Sequence, residues 1–122
     1  MHPFSVNKSN SLKSTSEIDA VFKDGSKLSS KLISLYYAKS KEHTRLRFTF
    51  SVGKKTHSLA TTRNKLKRLM KEALRLNGHE FLSQNLPYNL VFIYFSSKEE
   101  SFKSIEESMK SLLLSFKNKK LS

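Results

Sequence analysis

From Tyr88 to Phe95 the chain carries no charge, and Leu90 to Phe95 is its longest unbroken apolar run. Successive side chains of a strand point to opposite faces, so a strand that is apolar throughout needs cover on both. The segment therefore predicts a strand at a sheet centre or between packed layers, and the rest of the chain must supply that cover. It is far too short to cross a bilayer as a helix, which takes about 20 apolar residues.

Other segments match that demand. Arg45 to Val52 alternates, with Leu46, Phe48, Phe50 and Val52 on one side and Arg45, Arg47, Thr49 and Ser51 on the other. Lys31 to Ala38 is rich in strand formers, and the polar Lys39 to Thr44 between the two suits a hairpin loop. These two strands are thus expected to be antiparallel neighbours, with Ser26 to Leu28 adding a short strand. A first helix is predicted over Ser14–Lys23, where Ser14 and Glu17 fit a capping box, Ile18, Val21 and Phe22 recur at helical spacing, and Gly25 ends it. A second is predicted over Thr62–Leu76, with an apolar stripe of Leu66, Leu69, Met70, Ala73 and Leu76 and Gly78 beyond it. A third, over Lys98–Lys117, carries Phe102, Ile105, Met109, Leu112, Leu113 and Phe116 on one side.

The order α-β-β-β-α-β-α predicts an α+β fold, a two-layer sandwich in which three helices pack a sheet of approximately four strands. At 122 residues one domain is expected, over 11–117, between a flexible N-terminal tail (1–10) and a flexible basic C-terminal tail (118–122).

Charge narrows the partners. Lys and Arg number 23 against 10 Asp and Glu, a net of +13. Residues 54–75 alone hold Lys54, Lys55, Arg63, Lys65, Lys67, Arg68, Lys71 and Arg75 against Glu72, a net of +7. At 100° per residue, Asn64, Lys67, Arg68, Lys71 and Arg75 fall opposite the apolar stripe. A solvated helix face ordinarily interleaves both signs, so this one points to a polyanion. Read alone, Asn64 is also an ordinary polar residue of a first helical turn, with Thr61 or Thr62 as cap.

Catalytic equipment is missing from the pattern. The chain has no Cys, which excludes disulfides, thiolate zinc sites and cysteine nucleophiles. His2, His43, His57 and His79 are scattered and read as exposed polar loop residues. No carboxylate pair stands on a strand end or loop where a metal or an acid/base dyad would be expected, and no P-loop, dinucleotide glycine pattern or nucleophile elbow occurs. No catalytic residue, protein-bound metal or small-molecule substrate is expected. The first twenty residues are polar and contain no secretory h-region, so the expected location is cytoplasmic. A membrane-surface role suits the last helix poorly, because Glu99, Glu100, Glu106 and Glu107 lie among its lysines.

Ser51-Val52-Gly53-Lys54-Lys55, followed by Thr62-Arg63-Asn64-Lys65-Leu66-Lys67-Arg68-Leu69-Met70-Lys71-Glu72-Ala73, resembles the protein component of bacterial ribonuclease P, in which a Ser-Val-x-Lys-Lys type strand end leads into a helix opening with Arg-Asn-Arg. The resemblance extends over roughly 10–117 through Asn10-Ser11-Leu12, Val21-Phe22-Lys23 with Gly25, and Ile33-Ser34-Leu35-Tyr36. Lys65 and Lys71 stand where the family has Arg, replacing a planar fork by a point charge. Ile18 stands for an aromatic and Gly53 for a Ser.

The resemblance implies a protein that binds a large catalytic RNA, the pair hydrolysing precursor tRNA to free the mature 5′ end, with the chemistry and the Mg²⁺ ions belonging to the RNA. It further implies that Lys54, Lys55, Arg63, Asn64, Lys65, Lys67, Arg68, Lys71 and Arg75 meet the catalytic RNA. A cleft between the first helix and the sheet, with Ile18, Phe22, Tyr36, Arg47 and Ser51, would hold the 5′ leader, with Lys55 nearby; Phe22 read alone is equally a core residue. A left-handed crossover through the basic helix is implied as well. The rival reading is a generic RNA-binding module such as a ribosomal protein. Leu46 to Val52 resembles an aromatic RNP strand but lacks its Gly spacing.

Overall fold

The computed structural model describes residues 11–41, 45–78 and 87–120. In chain order these form α1 (Thr15–Asp24), β1 (Ser26–Ser29), β2 (Ile33–Lys39), β3 (Arg47–Val52), α2 (Ala60–Asn77), β4 (Tyr88–Tyr94) and α3 (Phe102–Lys120). The α+β class and the element order are those expected. The expected tail 1–10 and residues 121–122 lie outside the described residues, whereas 118–120 continue α3.

The four strands are ordered β1-β2-β4-β3. β4 pairs antiparallel with β2 and parallel with β3. This corrects the expected β2–β3 hairpin: β4 lies between them. Alternation in β3 fixes which residues share a face but not which strand lies alongside. The uncharged strand, buried at five of its seven positions, takes the interior place.

Each face of β4 has its own cover. Leu90, Phe92 and Tyr94 join Leu35 and Tyr37 of β2 and Phe48 and Val52 of β3 in the larger core, closed by Leu66, Met70, Ala73 and Leu74 of α2 and Ile105, Met109, Leu112, Leu113 and Phe116 of α3. Aromatic edges knit it together, with Tyr37 and Phe116 at 5.2 Å and Phe50 stacked on Phe92 at 5.4 Å. On the opposite face Val91 packs with Val21 and Leu12, flanked by Ile18, Tyr36, Ala38 and Ile93. The helices are thus shared between both faces, α1 adding a layer to the sandwich of sheet and α2–α3. Leu12 is held there because its amide donates to the Phe48 carbonyl at 2.9 Å, one residue after a bridge between Ser11 and Phe48.

Helix ends follow local chemistry. Ser14 caps α1, its hydroxyl accepting from the Glu17 amide at 3.4 Å. α3 begins at Phe102, later than Lys98, because the Tyr94 hydroxyl donates to the Lys98 carbonyl and accepts from the Glu100 amide, holding 98–100 out of the helix. Ser101 then caps it through the Ser104 amide at 3.2 Å. α2 begins at Ala60 and places Leu59 at its cap position with no side-chain bond, so Thr61 and Thr62 lie inside the first turn instead of capping it.

The α1–β1 junction tolerates only glycine. A Cβ at Gly25 would stand 2.3 Å from the Val21 carbonyl oxygen and 2.6 Å from that of Tyr37. Both are backbone atoms that cannot yield independently. Gly25→Ala is expected to lower unfolding free energy by about 1–3 kcal/mol in urea titration; an unchanged midpoint would show that α1 can shift freely on the sheet.

Candidate nucleic-acid interface

α2 is anchored by Leu66, Met70, Ala73 and Leu74, all fully buried. Leu74, not the expected Leu76, completes the stripe; Leu76 is half exposed. With that side fixed in the core, Asn64, Arg68 and Lys71 are exposed and Lys67 is half-buried beside them.

The basic residues divide by what they touch. Arg63 points back towards the preceding loop, its Nη1 donating to the carbonyls of His57 and Ser58 at 2.9 and 2.8 Å. Lys65 pairs with Glu99 at 3.4 Å. Arg75 grips Glu72 one turn earlier, and hydrogen bonding from that guanidinium holds the Glu72 carboxyl below the usual carboxylate range. Lys67, Arg68 and Lys71 have no ion pair among the described residues. Lys54 and Lys55 extend this set, exposed on the turn between β3 and α2.

That turn is braced from inside by His57, which is 8% exposed. Its amide donates to the Gly53 carbonyl at 3.0 Å, its Nε2 lies 2.8 Å from the Ser96 carbonyl oxygen, and its ring is 5.8 Å from that of Tyr94. The expectation of an exposed loop histidine is therefore corrected at His57; His2, His43 and His79 lie outside the described residues. The sequence signal for this burial was faint, since only the sheet end formed by Tyr94 and Ser96 makes the pocket. The same burial pushes the Tyr94 phenol above its ordinary pKa.

The second candidate surface lies on the α1 face of the sheet. Phe22 and Tyr36 meet edge to face, centroids 4.9 Å apart, and Lys27 Nζ stands 5.4 Å from the Tyr36 ring centre. Phe22 remains 44% exposed, so the plain core reading fails for it. Ile18 is half-buried against the small cluster under α1.

The strand registers arrange this face in rows. Thr49, Val91, Tyr36 and Lys27 lie level, and Ser51, Ile93, Ser34 and Ser29 form the next row. Arg47 lies level with Asn89 and Ala38, on the far side of the Tyr36 row from Ser51. The structure therefore brings Ile18, Phe22 and Tyr36 together, with Ser51 a row away, and sets Arg47 apart. At the Arg47 end, Asn89 donates from Nδ2 to Glu17 at 3.0 Å, while Arg47 Nε and Asn89 Oδ1 are buried without partners. A cavity of about 420 Å³ adjoins it, lined by Glu17, Asp24, Lys39, Lys41 and Asn89 among others, with charges of both signs.

Among the described residues no three His, Cys, Asp or Glu side chains converge to hold a metal ion, and no helix is long and apolar enough to cross a membrane. An unopposed cationic helix face, a lysine-bearing turn and a partly exposed aromatic pair between α1 and the sheet are the equipment of a small α+β nucleic-acid-binding protein.

Comparison with known proteins specifies which. The family described as Ribonuclease P matches residues 6–117, and the chain belongs to that family. The ribonuclease P protein component of Clostridioides difficile (strain 630) is 39% identical over 100 residues, covering 81% of this chain and 84% of that protein. Its counterpart in Clostridium botulinum (strain Loch Maree / Type A3) is 36% identical over 107 residues, covering 87% and 93%. The solved Staphylococcus aureus RNase P protein shares the fold with a TM-score of 0.76 at 24% identity, over 90% of this chain and 97% of that one. The Thermotoga maritima protein does so at 0.68 and 24%, over 84% and 93%.

The two roles of arginine on α2 are separable by stability. Arg63→Ala strands two carbonyls at the turn and is expected to lower unfolding free energy by about 1–2 kcal/mol. Arg68→Ala is expected to change it by no more than about 0.5 kcal/mol. Equal effects in urea titration would show that the Arg63 contacts do not hold the turn.

Proposed function

We propose that this chain acts as the protein subunit of a ribonuclease P holoenzyme, binding its catalytic RNA and the 5′ leader of precursor tRNA, so that the leader is cut away and the mature 5′ end is released. Membership of the family places it in an endoribonuclease complex. In our reading the RNA is the catalyst and holds the Mg²⁺ ions. The reaction belongs to the cytoplasm.

The observation that carries this reading is the face of Lys67, Arg68 and Lys71, which has no carboxylate partner among the described residues and stands on a helix fixed in the core. Such a face neutralises phosphates and releases their condensed counterions. Lys54 and Lys55 extend it along the turn. Asn64, exposed in the first turns, offers both a donor and an acceptor to a base edge or ribose. Arg63 acts chiefly by holding the turn, and Lys65 and Arg75 exchange exposed carboxylate partners for phosphate at little cost.

The leader, being single-stranded, suits the other surface. Phe22 and Tyr36 offer an aromatic edge and face for stacking, Lys27 supplies charge beside them, and Ser51 offers a hydroxyl a row away. Arg47, at the opposite end, would reach only a different part of the strand.

Cleavage of precursor tRNA by the cognate RNA, measured across a Mg²⁺ titration, is expected to need less Mg²⁺ when the protein is present. No stimulation, or a cut away from the mature 5′ end, would leave only a generic RNA binder. Replacing Lys67, Arg68 and Lys71 together by Ala is expected to weaken binding of that RNA and reduce the slope of log affinity against log salt by about 0.7–0.9 per lost phosphate contact. Tyr36→Ala is expected to weaken precursor binding by about fivefold or more while leaving mature tRNA unaffected; equal losses for both would remove Tyr36 from the leader surface.

A further inference from the structure

The face that carries Phe22 and Tyr36 does not stop at the last full row of the sheet. Alternation along β4 sends Val91 and Ile93 to this side, and the next residue in that series is Phe95. Its amide still donates to the Leu32 carbonyl at 3.0 Å, one residue beyond the last pair of the ladder. The side chain belongs to neither apolar cluster and is 47% exposed.

The neighbouring strand leads into an open, cationic turn at this end of the sheet. The parallel register ends with Val52 beside Tyr94, and Gly53 and Phe95 are the next residues of the two segments. A Cβ at Gly53 would meet nothing nearer than Thr56 Oγ1 at 3.7 Å, so the space over that backbone is open. Lys54 and Lys55 follow at once, both exposed. A lone exposed aromatic is ordinary on a protein surface. One that continues a sheet face already carrying an aromatic pair, at the end where a turn with two exposed lysines leaves the neighbouring strand, has the equipment for a nucleobase and its phosphate.

We infer that Phe95 is a second base-stacking platform for single-stranded RNA, about 13 Å along β4 from the row of Tyr36. The inference rests on reading this face as the one that holds the leader. Single-stranded RNA is favoured over a protein partner because the turn that follows β3 presents Lys54 and Lys55 exposed at this end of the sheet. Two separated platforms fix the path of the strand across the sheet, where one would fix only a point. Phe95 thereby becomes a determinant of which leader position is read by stacking.

The test uses the holoenzyme reconstituted with its cognate RNA and precursor tRNAs in which each leader position in turn is made abasic. Phe95→Ala is expected to weaken binding of the intact precursor by about fivefold or more, Phe95→Tyr to stay within about twofold of the parent, and Phe95→Leu to behave as Ala does. One abasic position should weaken binding to the parent protein and have no further effect on Phe95→Ala. Should Phe95→Ala melt early, Phe95→Leu, which keeps the apolar bulk, carries the comparison. If Phe95→Ala and Phe95→Leu bind like the parent while Tyr36→Ala does not, the platform is refuted and the leader face stands. If Tyr36→Ala is also without effect, both are refuted. Identical abasic losses at every position in parent and variant would equally overturn the inference.

Discussion

Burial of β4 on both faces is the constraint from which the other placements follow. One face takes α1 and Leu12, the other α2 and α3, and the backbone edges take β2 and β3. Because β3 runs parallel to β4, the chain cannot turn back through a tight hairpin and needs a long crossover. α2 forms the helical part of that crossover. The helix that carries the densest positive charge is thus also the one whose inner stripe helps close the core, and its outward face inherits the rigidity of that packing. Phosphate contacts made from such a platform lose little side-chain and backbone freedom compared with contacts from a loop.

The charge on this chain is sorted rather than spread. Arg63 is turned inward to two carbonyls, and Lys65 and Arg75 are matched with exposed glutamates. Exposed pairs of this kind contribute little to folding and are readily exchanged for stronger anions. What remains is a compact group on one side of α2 and the turn before it. The aromatic surface sits on the other face of the sheet from the α2–α3 core, and the segment from Gly53 to Ser58 joins the two regions. His57 pins that segment to the end of β4 through Ser96, so the two surfaces are tied through a buried ring and not merely through the chain.

Much of this was legible in the residues. The uncharged run predicted a doubly covered strand, Ser14 and Gly25 marked the ends of α1, and the one-signed face of α2 was readable from spacing alone. Strand order was not, because a period of two assigns faces and says nothing of neighbours; β3 would have looked the same beside β2. The start of α3 was missed because a tyrosine hydroxyl eight residues before the helix occupies the backbone groups of 98–100. Leu74 and Leu76 lie on opposite flanks of the stripe, and only the packing of the finished core shows that Leu74 is the buried one. His57 and Phe95 show the same limit in opposite senses, a polar residue drawn inside and an aromatic left outside, each by the local end of the sheet. The inward turn of Arg63 needed the path of the preceding loop, which no helical wheel contains.

The order β1-β2-β4-β3 also has a consequence for how the protein comes into being on the ribosome. Translation releases β2 and β3 well before the strand that must slide between them, so the nascent chain waits with both edges unsatisfied until Tyr94 has emerged. Within that interval the lysines and arginines of 54–75 leave the exit tunnel, next to ribosomal RNA, with no finished domain behind them. Biogenesis therefore meets its most adhesive segment before its most cohesive one.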